Sequence, residues 1–487
     1  MLISKLFEDV KCKIIGQDKD INNIQYDSRK IEQNNIFVCV VGQIVDGHDF
    51  AFQAIERGAV ALVVEKELNV SKDITQVVVE NSREIMAVIS TKFYDYPAKK
   101  LKMVGITGTN GKTTTTYMLK SIADCANVKS GLIGTIKNLI GTEKIKTDKT
   151  TPESLDIQVL LKKMVEKDVK MCFMEVSSHA LNLNRTDCID FDVAAFTNLT
   201  QDHLDFHKTF DNYRQSKRKL FNQANSAVIN IDDHVGYEIY NELSYDKISF
   251  GITKDAFVTA RDIEITSEGV QFILCIKGLE QTTINLKIPG LFSVFNALTA
   301  AGCAFKLGFN LNEIKQGLEA IANVPGRLEK IPAPNQDYSI LLDFAHSPDG
   351  LENILKTIKG FAKGRIITLF GCGGNRDNAK RPIMGDIAGK YSDFCILTSD
   401  NPRYENPLNI IKQIEEGTKK SGCDYTIIEN RREAMKYALE IAKQNDTIVL
   451  AGRGHEEYQE IMGISKKFSD RDTILKLLQE IEESLAI

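Results

Sequence analysis

The run Gly105-Ile106-Thr107-Gly108-Thr109-Asn110-Gly111-Lys112-Thr113-Thr114-Thr115 constrains the fold more than any other stretch of this chain. Leu101 to Thr107 is an apolar segment of strand length, and from Thr113 to Cys125 the residues Met118, Ile122 and Cys125 fall on one helical face. The glycines therefore occupy a strand-to-helix turn. Such a turn wraps backbone N–H groups around phosphates that the positive helix end also attracts, while Lys112 neutralises charge and the Thr113 hydroxyl can reach a magnesium ion. The general phosphate loop wants a glycine five positions before Gly111, where this chain has Ile106, so the match is the shorter G-x-x-G-K-T from Gly108. ATP is the expected ligand, held by Gly108, Thr109, Asn110, Gly111, Lys112, Thr113 and Thr114.

A chain of 487 residues, 43% of them hydrophobic, is long enough for about three domains with cores of their own. No segment approaches a membrane span, and Met1 to Asp9 lacks the apolar centre of a signal peptide. The ten cysteines are scattered without a C-x-x-C pair, which suits a reducing compartment. A cytoplasmic enzyme is expected. The net charge of -5 argues against a broad nucleic-acid surface, so an anionic small molecule must be met by local basic residues.

Three blocks follow along the chain, all α/β. Residues 1–98 carry short strand-like runs (Phe37 to Val41, Ala61 to Glu65, Gln76 to Glu80) and end at the break Tyr96-Pro97-Ala98-Lys99-Lys100. Residues 99–328 hold the phosphate loop, with further apolar strands at Met171 to Val176, Val193 to Thr197 and Ala227 to Ile231 in the rhythm of a parallel sheet. Shorter alternating segments such as Ile263 to Thr266 and Gln271 to Lys277 predict an antiparallel appendage to that ATPase block. Residues 329–487 begin a third, Rossmann-like rhythm, with strands at Ser339 to Asp343, Arg365 to Gly371, Phe394 to Ser399, Tyr425 to Ile428 and Thr447 to Ala451. No repeats or low-complexity tracts occur.

Other clusters carry chemistry at the ends of these strands, where open α/β sheets face their ligands. Glu175, in Glu175-Val176-Ser177-Ser178-His179, is either a carboxylate for magnesium or a solvated residue at a loop start. The run from Thr197 to His207 gathers His203, His207, Asp202 and Asp205; without a cysteine this favours a hard ion, and His203 could ligate a second magnesium. Lys217, in a helix-like run rich in Lys and Arg, reads on sequence alone as one more solvated base. Gly371-Cys372-Gly373-Gly374 lacks the third spaced glycine of a dinucleotide loop and reads as a binding-site turn.

Taken in order, Thr107 to Thr114, Glu175 to His179, Asn198 with Asp202-His203, Asn296 after Gly290-Leu291-Phe292, and Gly326-Arg327 resemble the Mur ligase family across nearly the whole chain. Asp27-Ser28-Arg29, Thr150-Thr151-Pro152 and Asp400-Asn401-Pro402-Arg403 are most similar to the members that add the third amino acid. The resemblance implies three domains and a reaction in which ATP phosphorylates a carboxylate of UDP-N-acetylmuramoyl-L-alanyl-D-glutamate before the amine of meso-diaminopimelate attacks. By resemblance Lys112, Lys217 and His203 are catalytic, Lys217 is carbamylated, and magnesium is held by Thr113, Glu175, His203 and the Lys217 carbamate. Asn296, Arg327, Asp343 and His346 join the loop residues around ATP. Tyr26, Ser28, Gln43, Ile44, Val45, Lys149, Thr150, Thr151, Ser177 and Arg185 match contacts to the nucleotide-sugar peptide; Leu183 stands where some relatives place a substrate-touching glutamine. Arg376, Asp400, Asn401, Pro402, Arg403, Gly452 and Glu456 match the amino-acid site, where a planar guanidinium at Arg403 suits the second carboxylate that distinguishes diaminopimelate from lysine. A monomer that binds neither nucleic acid nor membrane is expected. A related ligase such as a folylpolyglutamate synthetase would share the loop and Lys217 but lack the Asp400-to-Arg403 motif and the Asp27-Ser28-Arg29 start, and a nucleotide switch would not need three domains meeting around one ATP or a second acidic site.

Overall fold

A computed structural model describes every residue except Gln43, Ile44, His203, Pro334, Ala486 and Ile487. The chain packs as two compact units, one made of Met1–Thr107, Val128–Ala194 and Gln215–Ala227, the other of Gly108–Asn127, Ala195–Arg214 and Val228–Ile487. Both are α/β.

In the first unit a five-stranded sheet runs in the order Lys13–Ile15, Thr75–Val78, Ala59–Val64, Asn35–Val38, Asn23–Gln25, parallel except for the first strand. All four residues of Asn35–Val38 are buried, as expected where both faces of a parallel strand are covered. The expected strand from Phe37 to Val41 is therefore real but starts earlier and stops at Val38; Val41 makes only an isolated bridge to Asp46. Tyr96-Pro97 does break the chain, as a left-handed Tyr96 leading into a short 3-10 turn, Pro97–Lys100. The same unit holds Lys102–Thr107, Met171–Glu175 and Ser130–Ile133 as parallel neighbours, extended by the antiparallel pair Asn138–Ile140 and Glu143–Ile145. Gly105 is required here by close approach, since a Cβ would lie 2.9 Å from the Phe191 ring.

In the second unit the helix Lys112–Cys125 packs on Leu291–Lys306 and Leu311–Ala320. The antiparallel appendage is Val258–Thr266, Gly269–Ile276 and Thr282–Leu286. Its first strand is longer than the Ile263 to Thr266 expected, because the register shifts between Arg261 and Glu264, with Asp262 in a left-handed conformation. That irregularity interrupts the alternation a sequence reader depends on.

The last sheet has the order Glu329–Ile331, Ser339–Asp343, Thr447–Ala451, Ile366–Phe370, Phe394–Leu397, Asp424–Ile427, and all but its first strand are parallel. Alternate residues feed two cores: Leu341, Ile366, Phe370, Cys395 and Val449 face helices Pro348–Phe361, Lys380–Tyr391 and Pro407–Ser421, while Ile340, Ile367, Ile396 and Ile448 face Arg431–Ile441 and Asp470–Leu485. Parallel strands end at one edge, so Asp343, Gly371, Asp400 and Gly452 are gathered there. Among the described residues, no helix is long and apolar enough to cross a membrane.

Candidate active site

The phosphate loop is shaped by side chains that leave no room for a Cβ. Gly108 (φ 148°) would place one 1.8 Å from Thr197 Oγ1, and Gly111 (φ 89°) would place one 2.3 Å from Asn296 Oδ1. Both glycines are thus demanded by conformation and by close neighbours. Asn296, expected at the nucleotide, lies directly against the loop.

Backbone hydrogen bonds hold the curve. The Thr109 N–H donates to the Asn198 carbonyl (2.9 Å), and the Asn110 N–H donates to Asn198 Oδ1 (2.9 Å). Thr197 Oγ1 donates to the Asn110 carbonyl at 2.6 Å, and Tyr213 OH lies 3.1 Å from Thr109 Oγ1. Lys112 Nζ donates to the carbonyls of Gly108 and Thr109, both at 2.8 Å, which parks its charge on the loop. The helix begins after Gly111 with no side-chain cap, so its first N–H groups keep the orientation that suits an anion. Thr113 and Thr114 are buried in that first turn.

Arg327 reaches the same turn, with Nη2 3.2 Å from Thr113 Oγ1 and the guanidinium 4.8 Å from the Phe344 ring centre. Asp343 is buried; its carboxylate accepts from the Leu328 (2.6 Å) and Ala345 (2.7 Å) N–H groups. Burial raises its pKa, opposed by Arg327. His346 is held below the ordinary histidine range by burial and then by Lys380, with Nδ1 placed to donate to the Phe344 carbonyl at 2.8 Å. Asp349 escaped the sequence reading. It accepts from Asn110 Nδ2 (2.7 Å) and Thr200 Oγ1 (3.2 Å), linking the helix Pro348–Phe361 to the phosphate loop. Its only sequence signal is a carboxylate one residue inside a Ser-Pro helix start.

Within the first unit a second group forms around Glu175, whose side chain is fully buried, so the solvated alternative does not hold. Its carboxylate accepts from the Thr135 N–H (2.8 Å) and hydroxyl (2.9 Å), and Thr135 also bonds Thr150. Thr151 Oγ1 donates to the Glu175 carbonyl (2.7 Å) and accepts from the Ser177 N–H (3.1 Å). Arg185 donates to the Thr151 carbonyl (3.1 Å) and pairs with Glu153 (2.9 Å). Glu153, unanticipated, is a buried hub that also holds Arg83 (2.6 Å) and Lys149 (2.7 Å); these cations outweigh desolvation and keep its pKa low. Tyr26 donates to Asp156 (2.6 Å) and Ser28 to Gln53 (2.7 Å), while the Val45 carbonyl accepts from Gly42. Lys217 is 2% exposed, which corrects the reading of it as a surface base. Gln43, Ile44 and His203 lie outside the described residues.

The third group occupies the edge of the last sheet. The Asn401 carbonyl accepts from the Gly374 N–H (2.9 Å), its Nδ2 donates to Glu456 (2.8 Å), and its Oδ1 accepts from Arg453 (3.1 Å) and the Glu460 N–H (2.9 Å). Gly374 could carry no side chain, since a Cβ would meet the Pro402 carbonyl oxygen at 1.9 Å; at Gly452 (φ 105°) it would lie 2.9 Å from Asp400 Oδ2. The Gly371 to Gly374 turn and the Asp400-to-Arg403 motif therefore form one wall. Arg403 adopts a left-handed backbone (φ 52°), uncommon for a side chain of this size. Its Nη1 donates to the Gly374 carbonyl (2.8 Å) and its Nε pairs with Glu460 (3.2 Å) on the hairpin Tyr458–Ile461 with Ile464–Lys467. Burial, then the Asp400 charge, pushes the Glu456 carboxyl up to about 7. Arg376 is exposed and, among the described residues, makes no hydrogen bond or ion pair. Arg403 and Arg453 are thus gathered with Asp400, Glu456 and Glu460 at one sheet edge.

Comparisons with known proteins agree with this geometry. The Mur ligase middle domain matches residues 106–304, the Mur ligase glutamate ligase domain 326–454, and the Mur ligase family catalytic domain 20–99. The chain is a Mur ligase. It is 46% identical over 99% of its length to the whole of UDP-N-acetylmuramoyl-L-alanyl-D-glutamate--2,6-diaminopimelate ligase 1 of Clostridium acetobutylicum. It is 47% identical, again over 99% of its length and all of the relative, to the ligase of that name from Clostridium botulinum. A solved structure of UDP-N-acetylmuramoyl-L-alanyl-D-glutamate--2,6-diaminopimelate ligase superposes with a TM-score of 0.69 at 29% identity, over 99% of this chain and 100% of the other.

Proposed function

We propose that this Mur ligase is the ATP-dependent enzyme that joins meso-diaminopimelate to the D-glutamate of UDP-N-acetylmuramoyl-L-alanyl-D-glutamate, in peptidoglycan precursor synthesis. The observation that carries the reading is the wall at the sheet edge: the Arg403 guanidinium set by Gly374 and Glu460, and the neighbouring carboxylates Asp400 and Glu456 joined to the same motif through Asn401. A guanidinium answers the distal carboxylate and the carboxylates answer ammonium, a combination that lysine matches only in part.

A carboxylate is a poor electrophile because oxide would have to leave. Attack of a substrate carboxylate oxygen on the γ-phosphorus releases ADP and gives an acyl phosphate; the amine nitrogen then attacks the acyl carbon, phosphate departs and the amine loses a proton. Lys112 would leave the loop carbonyls for the phosphates, and the uncapped helix start would hold their negative charge. Asn296 and Arg327 would line the nucleotide, with Asp343 and His346 beside it. Tyr26, Ser28, Gln43, Ile44, Val45, Lys149, Thr150, Thr151, Ser177 and Arg185 would take the nucleotide-sugar peptide.

Magnesium suits the donor types, since the buried Glu175 carboxylate and the Thr113 hydroxyl are hard oxygen ligands. By resemblance, His203 and a carbamate on the buried Lys217 would hold a second magnesium, and the cations would offset charge on the transferring phosphoryl. Lys217→Arg cannot carry a carbamate and is expected to lose activity by about 10²-fold or more while its melting temperature holds; an active variant would remove the carbamate from the scheme. The division into domains at 1–98, 99–328 and 329–487, a cytoplasmic location and a monomeric state without nucleic-acid or membrane partners belong to the same proposal.

The deciding experiment compares meso-diaminopimelate with L-lysine, following ADP release and product mass, with each substrate omitted in turn. Amide product only with diaminopimelate, and ADP only when all three substrates are present, is expected. Equal rates with both amino acids would sink the specificity.

A further inference from the structure

The residues assigned to the incoming amino acid rest on a buried charge network outside the motifs discussed so far. Arg453 and Asp470 have side chains 0% exposed, and Arg431 is 1% exposed. Arg431 grips Asp470 through Nε (2.9 Å) and Nη2 (2.6 Å), and Arg453 Nε lies 3.4 Å from the same carboxylate. Each guanidinium turns its other donors to the pocket walls. Arg431 donates to the carbonyls of Ala451 (3.0 Å) and Ser399 (3.4 Å), the residues immediately before Gly452 and Asp400. Arg453 donates to Asn401 Oδ1 (3.1 Å) and to the carbonyls of Tyr458 (2.9 Å) and Phe468 (3.0 Å), and lies 3.5 Å from Glu456. Asp470 opens the helix Asp470–Leu485, whose Ile474, Leu477 and Leu478 anchor in the core.

We propose that Asp470 is a positioning residue for amino-acid recognition: through Arg431 it sets the strand ends that carry Asp400 and Gly452, and through Arg453 it orients Asn401 and Glu456. The inference rests on the reading of this pocket as the diaminopimelate site. Two buried guanidiniums need a carboxylate between them, and the rigid fork of each transmits its placement to every group it donates to. A residue acting only through stability would affect all three substrates alike.

The test measures kcat and the KM of each substrate for Asp470→Asn, which keeps the size and removes the charge, and for Arg453→Lys, which keeps the charge and removes the fork. The expected result is a rise of about tenfold or more in the KM for meso-diaminopimelate, with the other two KM values and kcat within about twofold of wild type. Combining either variant with Asn401→Ala should raise that KM by less than the product of the separate effects. An unchanged amino-acid KM in a cooperatively melting variant overturns the proposal, as does a uniform loss for all substrates or a multiplicative double variant. If Asp470→Asn does not fold, Arg453→Lys and its combination with Asn401→Ala decide. A wild-type enzyme that does not turn over meso-diaminopimelate would instead overturn the pocket reading, and the same KM comparison then applies to whichever amino acid it accepts.

Discussion

The phosphate loop and the proposed amino-acid pocket would solve the same problem, holding charged ligand groups in place, by opposite means. The loop is one contiguous turn whose two glycines are forced by Thr197 and Asn296 and whose own backbone is proposed to hold the phosphates. The pocket is assembled from the turn at Gly371 to Gly374, the motif at Asp400 to Arg403 and the segment from Gly452 to Glu460, with Arg431 and Asp470 buried behind them beside Arg453. Backbone recognition needs few residues and accepts any triphosphate of the right shape. Side-chain recognition needs many, and that is where a choice between amino acids can be made.

The contrast is open to attack, most strongly at Lys112. Lys112→Ala should lower kcat/KM by roughly 10³-fold or more for every substrate, measured as ADP release, because it removes charge from the transferring phosphoryl. Loss confined to one amino acid would contradict the division of labour. Arg403→Lys should act on the other side, reducing the preference for meso-diaminopimelate over L-lysine by about 10²-fold while leaving the KM for ATP alone; a competition assay with both amino acids reads the ratio directly.

Glu456 sharpens the comparison through pH. Its carboxyl, ordinarily at 4.5, is raised to about 7 by burial and Asp400. As pH falls through about 7 it gains a proton and its hold on an ammonium weakens, so the KM for the amino acid should rise while that for ATP does not; Glu456→Gln should flatten this profile. For stability the sign is the reverse: the folded protein keeps a proton that the unfolded chain has released, a contribution complete below 4.5 and lost as pH rises through about 7. Glu456→Gln should therefore melt relatively later than wild type above that range. The smallest effect is expected at Asp349, which ties the helix Pro348–Phe361 to the phosphate loop. Asp349→Ala removes acceptors from Asn110 and Thr200 and should raise the KM for ATP by a few-fold, about 1 kcal/mol, with no change in amino-acid preference.

Legibility in the sequence followed the same division. The strands at Ser339 to Asp343 and Thr447 to Ala451 could be read to the residue because buried parallel strands are continuous apolar runs. The appendage strand was seen only in its second half, because the irregularity at Arg261 to Glu264 breaks its alternation. Asn296 and Arg327 could be named from resemblance, yet that one presses on Gly111 and the other reaches Thr113 is visible only in the fold. Glu153, Asp349, Arg453 and Asp470 carried no spacing of their own. Isolated charged residues are ordinarily solvated, and nothing local distinguishes those that are not.

The sequence by itself determined the α/β character, the phosphate loop with its helix start, and the family to which the chain belongs, because each resides in a contiguous run whose backbone or periodicity speaks for itself. Tertiary structure alone decided that Glu175 and Lys217 are buried, that Arg403 is set between Gly374 and Glu460, and that one carboxylate holds two buried arginines behind the pocket. The physical reason is that burial and charge pairing depend on distance in space: residues 431, 453 and 470 become neighbours only when parallel strands end at a common edge and the last helix packs beneath it.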